Sequence, residues 1–456
     1  MRDYQQQIIN KVREQIKDGQ RRILIQLACG GGKTAIASFI LKGTISNGYR
    51  ACMMAHRTEL VKQASNTLDR ISVPHGIIKA GIAQDTSLLM QVASVGTLRR
   101  RLAKIPIPKI LIVDEAQHQK SRTWSEIADY YYENDSIIIG LSATPKRLSG
   151  EPMSDCYDVM VQGPSIRQLM EWGFLCRYKY LAPPQVMNLD SVPTLAGDYA
   201  KGELFQAVAK SHITGDAIQH YERFLPGKRA IAFCVSVEHT KQVAKQFCDA
   251  GVPAEAVDGN TPDEEREAAM ERFRRGETLV LVNVELYTEG ADIPNCEGVI
   301  MLRPTQSLSL YIQMVGRALR PDPDNPFKIA TILDHCGNVF HHDLPDADRV
   351  WTLESEVKSR RKGEAAKVFI RQCPCCYYAH KPAPVCPECG YQYQISERQL
   401  AEEAGELEEF IAREKKQLRQ EVGRARTIDE LKRIAKERNY EPSWVFIQAK
   451  LKNIRR

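Results

Sequence analysis

The chain has 456 residues, 43% hydrophobic and 26% charged, a length suited to about three domains of ~150 residues and a composition that excludes wholesale disorder. No apolar run approaches the ~18 residues of a membrane helix, and the start Met1-Arg2-Asp3-Tyr4 lacks the apolar core of a secretory signal, so a soluble cytoplasmic protein without membrane contact is expected. The net charge of +6 is uneven: Arg413 to Arg456 holds 14 Lys/Arg and 6 Asp/Glu, a surplus of +8 that leaves −2 for everything before it. Such a basic tail reads either as a contact for a polyanion such as DNA or as a solvated helical face.

From Arg21 to about Ala143, short apolar runs alternate with helical patterns. Strands are expected at Arg21 to Leu27, Arg50 to Ala55, Lys109 to Val113 and Ser136 to Gly140, with helices at Lys33 to about Ser46 and Thr58 to Arg70. Continuous apolar strands separated by helices belong to a parallel sheet covered on both faces. Ser165 and Gln168 have capping-box spacing and open a further helix. Weak periodicity and several prolines between Arg177 and about Ala209 read as a connector. Alternation resumes with strands at Arg229 to Phe233, Thr278 to Val282 and Gly298 to Leu302 and a helix from Ser236 to Ala250. The expected fold is α/β, two tandem doubly wound parallel-sheet domains. They are bounded as 1–180 and 211–345 around a connector at 181–210, with a basic linker at 346–370, a small metal ribbon at 371–394 and a helical basic tail at 395–456.

Cys29-Gly30-Gly31-Gly32-Lys33-Thr34 lies between a strand and a helix. Glycines let backbone N–H groups close around phosphate oxygens, the helix start adds its dipole, Lys33 reaches the β- and γ-phosphates, and the Thr34 hydroxyl suits magnesium. The strict phosphate-loop pattern places glycine where this chain has Leu27. Asp114-Glu115 ends an apolar strand, where two acids make poor sheet but a good metal site: Asp114 can hold Mg²⁺ and Glu115 can orient or deprotonate an attacking water. ATP and Mg²⁺ are the expected cofactors.

With these residues in place the chain resembles the superfamily-two helicases of the DEAD/DEAH-like kind. Arg2-Asp3-Tyr4-Gln5 looks like their Q motif, Ala55 to Leu60 like motif Ia, Ser94 to Thr97 like motif Ib, Asp114-Glu115-Ala116-Gln117 like motif II and Leu141 to Pro145 like motif III. Thr288-Glu289-Gly290-Ala291-Asp292 looks like motif V and Gln313 to Arg320 like motif VI. Gln117 departs from the histidine more usual at that place. The resemblance implies two RecA-like domains with ATP hydrolysed in the cleft between them. It also implies nucleotide contacts from Arg2, Gln5, Gly290 and Asp292, with Gln5 reading the adenine edge, and catalytic roles for Gln313 and for Arg317 and Arg320 as arginine fingers. Nucleic acid would meet Arg57, Thr97 and Thr288, with Arg99 extending the contact. The run from Leu302 to Tyr311, then Ile332 to His335 and a cysteine cluster, looks like RadD-type DNA repair helicases.

Eight of the 13 cysteines are scattered singly and five fall between Cys373 and Cys389. Scattered thiols suit a reducing compartment. Cys373 and Cys376 form one CxxC, Cys386 and Cys389 another, with nine residues between, which is the spacing of a closed structural zinc site with Cys375 as the spare. In the tail, Thr427 and Glu430 form a second capping box, and Tyr440 to Trp444 breaks and restarts the helix. The sequence as a whole points to a nucleic-acid-dependent ATPase: a monomeric helicase or translocase that binds single-stranded or branched DNA with little regard to sequence, in repair or recombination. A repair or single-strand-binding protein is the expected partner. Its rivals are the motor subunit of a restriction system and a nucleic-acid-binding scaffold with an idle motor.

Overall fold

The computed structural model describes residues 1–56, 58–118, 122–145, 152–184, 192–195, 198–200, 202–204, 213–287, 293, 296–322, 324–354, 369–393, 425, 427–437, 444–445 and 448–449. These form two compact units, Met1–Ala383 with Pro387–Cys389 and Pro384–Cys386 with Gly390–Arg456.

The larger unit is built on two sheets. The strands of the first are β1 (Arg22–Gln26), β2 (Ala51–Ala55), β3 (His75–Ile78), β4 (Met90–Ser94), β5 (Ile110–Val113), β6 (Ile137–Ser142) and β7 (Val159–Gln162). All pair parallel in the order β3-β4-β2-β5-β6-β1-β7. Side chains alternate along each strand, and both faces are apolar: Ile23, Met53, Ile112 and Ile139 enter one core cluster, Leu24, Met54, Leu111 and Ile138 another. Helices on the two sides cover those clusters, which is why β2, β5 and β6 are buried along their whole length. The expected doubly wound domain is present. Sequence patterning missed β3, β4 and β7, which lie toward the sheet's edges.

The second sheet contains β8 (Arg177–Leu181) and, after the two-stranded pair β9 (Thr194–Leu195) and β10 (Asp198–Tyr199), the strands β11 (Ala230–Phe233), β12 (Ala254–Val257), β13 (Val280–Asn283), β14 (Gly298–Met301) and β15 (Ile329–Asp334). Its order is β12-β13-β11-β14-β15-β8, again all parallel. Here the structure corrects the expected boundary. Arg177–Leu181 belongs neither to the first domain nor to a connector; it is the edge strand of the second sheet, paired with Ile329–Leu333. Only one side of it meets a neighbouring strand of that sheet, so its polar and aromatic residues hid the strand pattern. Within the expected connector, the described residues include the β9–β10 pair. Asp198 accepts hydrogen bonds from the Thr305 hydroxyl (2.9 Å) and the Gln306 N–H (2.8 Å), and pairs with Arg303 at 3.4 Å.

Two further short strands, β16 (Arg371–Gln372) and β17 (Ala379–His380), pair antiparallel and frame the first CxxC. This knuckle docks on β8. Leu181 and Tyr378 form an antiparallel bridge, the Ala182 N–H donates to the Tyr377 carbonyl at 2.8 Å, and the His220 ring meets Tyr377 edge-on at 5.3 Å, while Glu388 of the second CxxC pairs with Lys179. In the smaller unit the helix Ile428–Glu437 carries the expected capping box, with Thr427 and Glu430 exchanging hydrogen bonds of 3.2 Å. Leu431, Ile434 and Val445 bury against one another there. The break expected at Tyr440 falls mostly outside the described residues.

Three histidines of the second domain are buried and neutral. Desolvation holds His239 at about 4, His342 at about 4, and His335, with the His220 ring beside it, at about 3. The unfolded chain takes up these protons near 6.5, so the folded state loses stability as pH falls from about 6.5 toward 4. Urea unfolding between pH 7.5 and 4.5 is therefore expected to show the second domain's midpoint falling faster than the first's, which separate probes in each domain will report.

Candidate active site and metal centre

β1 delivers the chain to a loop that only glycine can build. Gly30 and Gly32 have φ of +78° and +87°, left-handed values that cost other residues strain. The departure at Leu27 has a structural reason. Its backbone N–H continues the sheet by donating to Ser142, and its fully buried side chain lies under Gly31, where a Cβ would stand 2.7 Å from Leu27 Cγ. Tyr4 fixes the loop from the other side, its hydroxyl donating to the Gly31 carbonyl at 2.7 Å. Lys33 begins the following helix. Burial works against its charge, but Cys29, Glu115 and Asp114 outweigh both that and the opposing Arg317, and its pKa lies above the ordinary lysine value. A glycine cradle ending in a half-buried ammonium fits a polyphosphate, and the Thr34 hydroxyl with Asp114 supplies oxygen donors that fit magnesium.

Glu115 follows β5 and is almost fully buried with φ +49°, a strained conformation for a residue with a side chain. Its Oε2 accepts from the Gln117 amide at 2.8 Å and from the Gln313 amide at 3.3 Å. Gln117 in turn accepts from Ser142 at 2.7 Å, and the Thr144 hydroxyl donates to Ser309 at 2.7 Å. Gln313 and Ser309 lie on the helix Leu308–Gly316 of the second domain, so both hydrogen bonds cross the cleft. Arg317 and Arg320 follow that helix, and both line a cleft of about 360 Å³ together with Arg2, Cys29, Lys33, Thr34 and Asp114.

The structure thus brings together Arg2, Cys29 to Thr34, Asp114, Glu115, Gln313, Arg317 and Arg320. Gln5 stands behind the loop: its side-chain oxygen accepts from the Arg2 N–H at 3.0 Å and its amide donates to Gly31 at 3.3 Å. Thr97 is buried and its hydroxyl accepts from Ser94 at 2.9 Å, while Arg99 is ion-paired with Glu126. Arg57, Thr288, Gly290 and Asp292 lie outside the described residues. Sequence reasoning did not single out Phe174, Met53 or Gln63, which also line the cleft; a phenylalanine in Trp172-Gly173-Phe174-Leu175 carries no signal beyond a short apolar run.

The four sulfurs of Cys373, Cys376, Cys386 and Cys389 lie within 4.8 Å of one another. Each knuckle closes the same way. Tyr377 N–H donates to the Cys373 carbonyl at 2.9 Å and Gly390 N–H to the Cys386 carbonyl at 3.0 Å, with φ of +62° and +75° at Tyr377 and Gly390. Burial opposes ionisation of Cys373, but the N–H groups of Cys376 and Cys375 and the Cys389 and Cys376 thiols pull it down to about 6. A thiolate-stabilising set of four sulfurs fits a tetrahedral metal ion.

Across the cleft, a Cβ on Gly316 would stand 2.8 Å from Cys29 Cβ. Gly316→Ala is expected to leave the thermal midpoint unchanged or raised, because alanine favours a helix, yet to lower ATP turnover about tenfold by holding the two motifs apart. Removing the opposing Cβ with Cys29→Gly should restore part of the turnover, read as kcat in the double variant.

A family model described as "Type III restriction enzyme, res subunit" matches residues 1–147, and one described as "Helicase conserved C-terminal domain" matches residues 216–322. A "51.5 kDa protein" of a Lactococcus phage (isolate 7-9) is 33% identical over 376 residues, covering 82% of this chain and 79% of that protein. "Putative ATP-dependent helicase IRC3" of Saccharomyces cerevisiae is 32% identical over 344 residues, covering 70% of this chain and 49% of the yeast protein. Among solved structures, a fragment titled as a "putative HsdR subunit of a type I restriction enzyme" from Vibrio vulnificus YJ016 has the same fold, with a TM-score of 0.58 at 22% identity over 75% of this chain and 65% of that one. With the phosphate loop, the acidic pair and the paired arginines gathered in one cleft between two parallel-sheet domains, the chain belongs to the superfamily-two helicases, the nucleic-acid-dependent ATPases.

Proposed function

We propose that this protein is a DNA motor of the repair and recombination type, working in the cytoplasm on single-stranded or branched DNA with little sequence preference. The observation that carries the reading is the pair of cross-cleft hydrogen bonds that joins the Glu115 carboxylate and Thr144 to the arginine-bearing helix. Lys33 holds the β- and γ-phosphates, Thr34 and Asp114 would hold a magnesium ion that would supply screening of the phosphate charge, and Glu115 aligns the attacking water and takes its proton. Arg317 and Arg320 neutralise the charge that develops on the transferred phosphoryl group, a contribution worth about 10³-fold or more in rate. Gln313 senses through Glu115 whether the cleft is closed. DNA rather than RNA is favoured by the restriction-enzyme description of the model that matches the first domain. The RadD-type likeness and the basic tail support a role in repair, with a repair or single-strand-binding protein as the recruiting partner of a monomeric motor. The four-cysteine centre takes zinc, and its role is structural, because four thiolates leave no open coordination position.

A second reading is favoured by the structural likeness to a restriction-enzyme subunit: the chain is the motor of a restriction system and works with a separate nuclease subunit. Co-purification with a nuclease would decide for it. ATP turnover compared across single-stranded, forked and duplex DNA and RNA separates these substrates, and stimulation by RNA alone would overturn the DNA assignment.

Lys33→Ala is expected to bring turnover below detection in a folded protein. Glu115→Gln keeps ATP affinity within severalfold while hydrolysis falls about 10²- to 10⁴-fold; equilibrium nucleotide binding and steady-state hydrolysis measure the two effects separately. Purified protein should contain about one zinc per chain. Metal analysis should show this lost in Cys386→Ser, with protease sensitivity appearing around residues 371–393, because a small ribbon draws its folding energy from the metal.

A further inference from the structure

The chain leaves the second domain after the helix Asn338–His342 and returns to the first. Residues 343–354 form a strap between the two. At its start the strap is fixed to the arginine-bearing helix. Tyr311, fully buried on that helix, donates its hydroxyl to the Asp343 carbonyl at 2.9 Å and stacks its ring on His342 at 4.9 Å. The strap then winds around one side chain: the Arg349 guanidinium donates to the carbonyls of His342, Leu344, Pro345 and Ala347 at 2.8–3.1 Å. A rigid planar fork spent on four carbonyls holds this stretch in one shape without help from a helix or strand.

The far end of the strap lies on the first domain. Leu353 packs against the apolar cluster that contains Ile138 and Tyr157, and its carbonyl accepts from the Met153 and Ser154 N–H groups at 2.7 and 3.0 Å. The Ser154 hydroxyl adds a bond to Glu354 at 3.3 Å. Tyr157, at the end of the same turn, lies so close to β6 that a Cβ on Gly140 would collide with its ring. Gly140 stands two residues before Ser142, which holds Gln117 against Glu115. Along the way Arg167 pairs with Asp346 at 3.6 Å and with Asp348 at 3.3 Å. These pairs are partly exposed and contribute little, so Leu353 is the main anchor.

The two ends of the strap therefore sit on the two elements that meet in the cleft. β6 leads into Ser142 and Thr144, and the helix Leu308–Gly316 carries Ser309 and Gln313. No residue of the strap is among the described residues that line the cleft, so its influence on the reaction is one of position. We propose that residues 343–354 are a positioning strap that sets the registry of the arginine helix against Glu115, with Leu353 as its anchor and Arg349 as its stiffener. The proposal rests on the reading of Glu115, Arg317 and Arg320 as the groups that hydrolyse ATP. The cross-cleft hydrogen bonds of 2.7 and 3.3 Å tolerate little displacement, and a shift of about 1 Å at a reacting centre costs up to about 10²-fold in rate. A tie outside the cleft holds that registry whatever occupies the cleft. Its loss slows the chemical step and spares nucleotide binding, which rests mainly on the phosphate loop of the first domain.

The test measures kcat and KM for ATP under saturating DNA, with thermal midpoints, in Leu353→Ala, Leu353→Met, Arg349→Gln and Ser309→Ala. Leu353→Ala and Arg349→Gln should each lower kcat about tenfold, leave KM within about threefold, and lower the midpoint by no more than about 4 °C. Arg349→Gln leaves the anchor in place, so the test stands even if Leu353→Ala is insoluble. Leu353→Met keeps the volume and the apolar contact and should retain wild-type kcat. In the double variant of Leu353→Ala with Ser309→Ala the loss should exceed the product of the single losses, because strap and cross-cleft contact hold one registry. Unchanged kcat in both strap variants would overturn the proposal, and so would losses that simply multiply with that of Ser309→Ala. A fall in kcat matched in both by the fraction unfolded at the assay temperature would do the same, since it would make the strap a stabilising element only. Lys33→Ala, run alongside, keeps the two levels apart. If it retains turnover, the ATP-site reading itself fails; if it is inactive while the strap variants are normal, only the strap falls.

Discussion

The Glu115 carboxylate organises the whole site, because it is a buried acid side chain that takes its hydrogen bonds from both domains. In the first domain Gln117 donates to it, and Gln117 is in turn held by Ser142 at the end of β6. From the second domain Gln313 donates across the cleft. A buried carboxylate left short of donors is costly, so losing the Gln313 donor while Glu115 stays buried carries a penalty that only water or another donor can relieve. That cost makes the position of the second domain depend on the state of one acid in the first. The Thr144–Ser309 contact lies beside it and gives the same interface a second point of registry. Two contacts define an orientation where one would leave a pivot.

How much of this was legible in the sequence differed by physical cause. Strands buried on both faces, such as Ile110–Val113 and Ile137–Ser142, announce themselves as unbroken apolar runs. The phosphate loop, the acidic pair and the two CxxC motifs were also legible, because each needs particular residue types at fixed spacing. β8 was not. Its Arg-Tyr-Lys-Tyr-Leu composition reflects a strand paired with its own sheet on one side only, and nothing local says that its partner is Ile329–Asp334. Phe174 escaped for a related reason. Its place in the cleft is set by the Leu169 carbonyl, by Leu175 against Gly30 and by Cys176 against the motif VI turn, relations between distant segments that no window of sequence contains. Leu27 shows the reverse: a departure from the expected pattern whose harmlessness only the packing under Gly31 explains.

The first cysteine knuckle has a place in the fold beyond its metal. The Leu181–Tyr378 bridge and the Ala182–Tyr377 hydrogen bond occupy main-chain groups at the end of β8 that an open edge would present to other chains. The Lys179–Glu388 and Lys381–Asp343 pairs add charge complementarity around that contact. They are partly exposed, so they contribute to orientation more than to stability. The knuckle is therefore continuous with the second domain's architecture.

The position of β8 also sets the order in which the protein takes shape as it leaves the ribosome. The first sheet is complete once β7 has emerged, so the first domain can fold early. β8 emerges next but must wait for β15, about 150 residues later in the chain, a delay of roughly 10–30 s at ordinary rates of synthesis. During that interval it is an unpaired extended segment, the kind that seeds association between nascent chains. Arg177 and Lys179 alternate along it with Tyr178 and Tyr180. Two like charges on so short a strand repel a second copy laid alongside, and so guard the waiting strand until its partner has been made.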